Sequence, residues 1–219
     1  VRHLPFAICH SPSAIRHPPF AICHSPSAIR HSPSAICHSP SPMPASSLRD
    51  AALTHFQKKE YADALKLFEQ AHEAYLAEDE REMAAEMQND LGVVYRAQKK
   101  YPLALQMIKI ALIEFREIND VIRSAQTLGN LGSLYLEMGE LSYAADSLND
   151  SLALFDPQKD KVMRSEVLRL LGEVRLKQGK FMEGLMNYEA GLRDVENPTP
   201  QQRWLRKLLA TPLKMMGMK

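Results

Sequence analysis

Beyond Met43 the sequence repeats every forty residues, and few folds accommodate that. Leu91-Gly92 with Tyr95 recurs as Leu131-Gly132 with Tyr135 and as Leu171-Gly172 with Arg175. One period earlier the same phase holds Ala51-Ala52 with His55. The second half of the unit keeps step through Tyr61, Tyr101, Leu141 and Phe181, then Ala64, Ala104, Ala144 and Gly184. Phe68, Ile108, Leu148 and Tyr188 follow, and then Ala71, Ala111, Ser151 and Gly191. Four copies without an insertion or deletion predict an array of small units stacked in one dimension, each hiding its apolar face against the next.

Inside each copy the apolar spacing is helical. Ala125, Leu128, Leu131, Gly132 and Tyr135 fall on one face at intervals of three and four. Met138-Gly139-Glu140 interrupts the pattern, and Leu141, Ala144, Ala145, Leu148, Leu152 and Phe155 resume it. Each copy therefore reads as two helices of roughly 15–18 residues, about 22–27 Å long. Asp120 and Asp160 stand where N-caps belong, Pro102 falls in a first turn, and Pro157 helps to end the third copy. Small residues at the Gly92 and Ala104 phases let the paired helices approach closely. Nine glycines and an aromatic fraction of 7% argue against a Gly-punctuated β-barrel or sandwich. No run of 18 apolar residues is available for a membrane span.

The Leu-Gly pair, the Tyr three residues on, the Ala nine after that, the large apolar residue and the second Ala resemble the tetratricopeptide repeat. The stretch LGNLGSLYLEMGELSYAADSLNDSLALF carries the pattern most fully, and the resemblance covers about residues 45–195. It is similar to the forty-residue subclass with longer helices, found in kinesin-light-chain-like adaptors and many bacterial signalling proteins. The resemblance implies an all-α, right-handed α-solenoid of four helix-turn-helix repeats at 45–84, 85–124, 125–164 and 165–195. The first copy lacks Leu-Gly and the fourth has Arg175 for Tyr, as terminal capping copies do. Residues 196–219 are expected to form a capping helix and a basic tail. There Trp204, Leu205, Leu208 and Leu209 share a face beside Arg203, Arg206 and Lys207, so a basic surface helix for a membrane or partner is the alternative. Gly184 and Gly191 inside a helix each cost about 1 kcal/mol, so this end is expected to fray first.

Residues 1–44 are of another kind. They hold nine of the fourteen prolines, all three cysteines, six of the eight histidines and no acid. Blocks of seven begin at His3, His10, His17, His24, His31 and His38, reading HLPFAIC, HSPSAIR, HPPFAIC, HSPSAIR, HSPSAIC and HSPSPMP. Proline in every block excludes a coiled coil. Cys9, Cys23 and Cys37 lie too far apart for the short spacings of a zinc site. A seven-base tandem repeat read in triplets regains its frame after seven codons, which yields such a period without selection on the protein. The segment is expected to be a disordered heptapeptide repeat translated from intergenic DNA, with Met43 as the true start. It lacks the apolar stretch of a signal peptide.

The remainder offers little for chemistry. It has no cysteine, and its histidines are His55, in the Tyr slot of its repeat, and His72 on a polar face. No phosphate-binding loop or dinucleotide fingerprint is present. Glu78, Glu80, Glu82 and Glu86 read as a solvated helix face. With 24 basic against 26 acidic residues beyond position 44, the balance of about −2 disfavours nucleic acid as a partner. No enzyme activity, cofactor or metal is expected, and Cys-free repeats suit a reducing, cytoplasmic setting.

The resemblance also places a groove. In the family, the first helix of each repeat lines a concave face, and the matching positions here include Leu53, Phe56, Asn89, Val93, Arg96, Gln126, Asn130, Ser133, Leu136, Arg169, Glu173 and Leu176. The whole face, with Arg49, Asp50, Glu86, Asp90, Glu137, Glu166 and Lys177, carries four bases and six acids. Apolar side chains would give affinity, and Asn89 and Asn130 could pair with an extended backbone. Leu53, Asp90 and Gln126 occupy the places where chaperone-binding members clamp a terminal carboxylate, and Asp90 would repel one. The expectation is a non-enzymatic interaction scaffold for a basic or amphipathic peptide or helix. The competing expectation is a structural or sensor arm of a larger bacterial signalling protein.

Overall fold

The computed structural model describes residues 43–215. The heptapeptide region 1–42 and the end of the basic tail, 216–219, lie outside the described residues, as do the side chains beyond Leu209. Among the described residues every regular element is helical: α1 (Ala45–Gln57), α2 (Tyr61–Ala77), α3 (Arg81–Ala97), α4 (Tyr101–Glu117), α5 (Val121–Met138), α6 (Leu141–Leu154), α7 (Lys161–Lys177), α8 (Phe181–Asp194) and α9 (Pro200–Met215). Consecutive helices pair, and α3 with α5 and α5 with α7 also touch, so first helices of successive pairs lie side by side. This is an all-α repeat solenoid. The first helices begin at Arg81, Val121 and Lys161, four residues ahead of the boundaries set by the sequence phase.

One corner is used again and again. Lys59, Asp79, Lys99, Asn119, Gly139 and Gly179, twenty residues apart but for one missing step, all have positive φ between 58° and 82°. The next amide donates to a carbonyl five residues back at 2.8–2.9 Å, as in Glu60 to His55 and Lys180 to Arg175. That bond closes the helix C-terminus and reverses the chain. The missing step is the turn after α6. There the Asp156 carboxylate accepts from the amides of Gln158 and Lys159 at 2.7 and 3.2 Å, which holds its pKa down. Asp120 caps α5 by accepting from the Arg123 amide at 2.9 Å. Asp160 does not cap α7: its carboxylate accepts from the Asp156 amide instead, stapling the loop.

The small residues at the two phases are required by contact. A Cβ on Gly132 would stand 2.6 Å from the Leu148 side chain and 3.3 Å from the Ala144 carbonyl. On Gly191 it would stand 2.9 Å from the Ser165 backbone oxygen. Gly184 and Gly191 thus bring α8 onto α7, a packing role beyond the helix-breaking cost expected of them. The core runs as a chain of clusters, from Phe68 and Tyr75 through Ile108 and Leu134 to Leu148 and Leu171. It thins at α8, whose buried residues are Gly184, Glu189 and Gly191.

Helix α9 stands in the forty-residue register of the first helices, with Leu205 at the phase of Ala85, Ala125 and Ser165. Gln202 and Leu205 face α7 and α8 across a cavity of about 210 Å³. The expected single apolar seam is split. Leu205 turns toward the pair, whereas Trp204 is 64% and Leu208 51% exposed. Leu128 and Leu168, at the phase of Leu208, are 4% and 7% exposed because neighbouring helices cover them.

Candidate functional site

The side-by-side first helices α3, α5 and α7 form a trough with two adjoining hollows. One, of about 520 Å³, is lined by Glu86, Asn89, Asp90, Ile122, Arg123, Gln126 and Asn130, with Phe115 and Thr127 below. The other, of about 380 Å³, lies between Arg96, Gln126, Asn130 and Ser133 on one side and Val162, Met163, Glu166 and Leu170 on the other. Gln126 and Asn130 border both, so the hollows are continuous along α5.

A ladder of polar contacts rungs the trough. Arg49 on α1 donates to Glu86 on α3 at 2.6 Å, and Arg123 on α5 donates to the other Glu86 oxygen at 3.2 Å. Arg123 also pairs with Glu82 at 2.5 Å and Asp120 at 2.8 Å. Asn130 donates its amide to the Asn89 side-chain oxygen at 3.0 Å. Arg96 reaches Glu137 at 3.6 Å, and the Gln126 amide donates to the Met163 sulfur at 3.2 Å. The ladder was not foreseen, although the sequence carries its signal: partners stand 37 or 41 residues apart, one period less three or plus one. At that offset two side chains on adjacent parallel helices meet.

Of the residues expected to line a groove, Asn89, Arg96, Gln126, Asn130 and Ser133 border these hollows. Arg169 and Glu173 continue the same helix face; Arg169 pairs with Glu166 at 2.6 Å and with Glu173 at 3.9 Å. Arg169 donates to Glu166 and so holds that carboxyl below its usual range. Val93 is half-buried. Leu136 and Leu176 are corrections. Leu136 is 7% exposed and belongs to the cluster with Ala144 and Ala145. Leu176 lies where a Cβ on Gly184 would meet it at 2.7 Å. Leu53 and Phe56 likewise pack on the first core cluster, with Phe56 6.0 Å from the Tyr61 ring. In α1, α5 and α7 the last turn carries an apolar residue, Phe56, Leu136 or Leu176, eight positions before the small residue of its own second helix, whereas α3 has Arg96 at that phase.

Asp90 stands apart electrostatically. It is half-buried and enters no ion pair among the described residues. Burial pushes its carboxyl up to about 7; the charge of Glu86 adds to the rise, and Arg49 and the Asn89 amide oppose it. Elsewhere, burial lowers the pKa of His72, whose ring lies 3.0 Å from the Gln88 amide and is half-buried rather than on a solvated face. His55 meets Glu60 at 2.7 Å, and together with Asp63 their ligand atoms lie within 4.8 Å of one another. At the matching corner of α7 and α8, Arg175 pairs with Glu183 at 3.3 Å. A polar contact thus spans this corner in the first and fourth copies, whereas Tyr95 and Tyr135 hold the same phase in the middle two.

No described helix is long and apolar enough to cross a membrane. A comparison with curated proteins gives no match. Among solved structures, the chain is similar to BtubC (BKLC) from P. vanneervenii, with a TM-score of 0.61 at 20% identity over 71% of this chain. The match spans 66% of that protein, just under two thirds of its length, and at that identity it speaks for the fold. Two family models described as tetratricopeptide repeat match residues 45–77 and 83–156. With its forty-residue helical pairs, small-residue seats and side-by-side first helices, the chain belongs to the tetratricopeptide-repeat family.

Proposed function

We propose that the protein is a non-enzymatic interaction scaffold that takes a peptide or helix of a basic or amphipathic partner into the trough along α3, α5 and α7. The observation that carries this reading is the pair of adjoining hollows, where amides, ionic groups and apolar side chains such as Met163 and Leu170 share one open strip. Apolar hollows supply affinity, and fixed polar groups set direction and register. Asn130 keeps its amide oxygen and one N–H for a backbone after its bond to Asn89. A cytoplasmic setting accords with this role.

A second reading draws on the ladder. Much of the trough's polar capacity is spent between neighbouring helices, as in a rigid structural arm of a larger signalling protein whose activity lies on another domain or chain. Selection of phage-displayed random peptides on the full chain separates the two. A groove binder yields peptides that no longer bind Asn130→Ala/Met163→Glu, a pair chosen because both side chains border the trough and Met163 is exposed. The melting temperature should stay within about 2 °C. Peptides that bind the double variant equally well would sink the groove reading.

A further inference from the structure

We infer that the hollow between α3 and α5 is a subsite for a cationic side chain, lysine or arginine, of the bound peptide, with Asp90 as its counter-ion. The inference rests on the trough being a peptide site and adds the chemistry that one stretch of it selects. Arg123 lines this hollow and Arg49 acts on Asp90 from α1, and both cations are engaged. Arg49 is held by Glu86 at 2.6 Å, and Arg123 is shared among Glu82, Glu86 and Asp120 at 2.5–3.2 Å. Asp90 is the carboxylate left over. Among the residues that line the hollow, Glu86 and Asp90 stand against Arg123, so it is electronegative when Asp90 is ionised.

The geometry presents Asp90 to an incoming group. Asp90 lines the same wall as the Asn130–Asn89 amide pair, bonded at 3.0 Å, and the Asn89 side chain favours the ionised carboxyl. A volume of about 520 Å³ accommodates a guanidinium or ammonium with its alkyl stem. Ile122, 40% exposed, lines the same hollow and can cover that stem. An anionic group would instead meet Asp90 and Glu86 with no unengaged base to receive it.

Proton linkage follows from the groups around Asp90. Glu86 faces it from its own helix, Arg49 acts on it from α1, and Arg123 lines the same hollow from α5. Because the free carboxyl titrates at about 7, a cation entering the hollow binds its ionised form and expels the proton to solvent. The competent fraction sets the apparent affinity, so capture strengthens about tenfold between pH 6 and pH 8.

Phage-displayed random peptides selected on the full chain at pH 8 test this. The expected result is enrichment of Arg or Lys at one fixed position. The best enriched peptide should then bind about tenfold more weakly at pH 6, and Asp90→Asn should weaken it at pH 8 and flatten the pH dependence. Asn has the size of a protonated Asp, and an unchanged circular dichroism spectrum establishes that the variant folds. Enriched peptides that depend on Asn130 and Met163 but lack a fixed basic residue, or whose affinity is flat in pH, overturn the subsite and leave the groove standing. Peptides indifferent to Asn130→Ala/Met163→Glu, or no enrichment at all, overturn both.

Discussion

At Asp90 the protein holds a carboxyl in a place that favours its neutral form. Its folded pKa of about 7 lies above the ordinary 3.8, so the folded state binds the proton more tightly than the unfolded chain does. The sign follows directly: the stability this group contributes is complete below pH 4 and is lost as pH rises through 7. Replacing Asp90 with Asn, which cannot ionise, should therefore raise stability at pH 8 by about 2–4 kcal/mol and leave it nearly unchanged at pH 4, as denaturant titrations at the two pH values would measure. A like gain at both pH values would show that the group is unstrained. The resemblance to the tetratricopeptide repeat placed Asp90 on the concave face, and it lines the first hollow. Its isolation was not legible, because that depends on Arg49 and Arg123 each choosing Glu86 across a neighbouring helix. Leu136 and Leu176 failed for a related reason. Their phase matched a concave position, yet a small residue eight places later opened a nearer seat.

At the scale of an element, helix propensity and packing make opposite forecasts for the glycines, and packing should prevail. Gly191→Ala would gain about 1 kcal/mol from propensity. Yet its Cβ would press to 2.9 Å from the Ser165 carbonyl oxygen, which is backbone and yields little. Thermal unfolding of this variant should show a melting temperature several degrees below that of the parent. The corners invert the case. Lys99 sits at φ 59° with Gly139 and Gly179 doing the same job elsewhere. Lys99→Gly should stabilise by about 0.5–1 kcal/mol in chemical denaturation, since relief of the left-handed conformation exceeds the added chain entropy. The helices themselves were plain in the sequence, because a period of forty repeated four times leaves little freedom. Asp160 was misread as a cap because a longer loop, absent from the other corners, gave its carboxylate a closer amide at Asp156.

Across the whole molecule, stability is a sum over pairs and the contacts between them. The centre has large buried side chains in every helix, whereas α8 buries two glycines and a glutamate. Hydrogen exchange should accordingly open α8 and α9 first and α3 to α6 last, with protection rising inward from the C-terminal end. Uniform protection from α1 to α9 would mean that the array unfolds as one block. Helix α9 adds a practical corollary. Because it repeats the phase of α5 and α7, Trp204 and Leu208 offer a ready berth shaped by the protein's own architecture. An engineer wishing to lengthen the array could append a single copy of α6 behind a suitable turn, rather than importing a full hairpin.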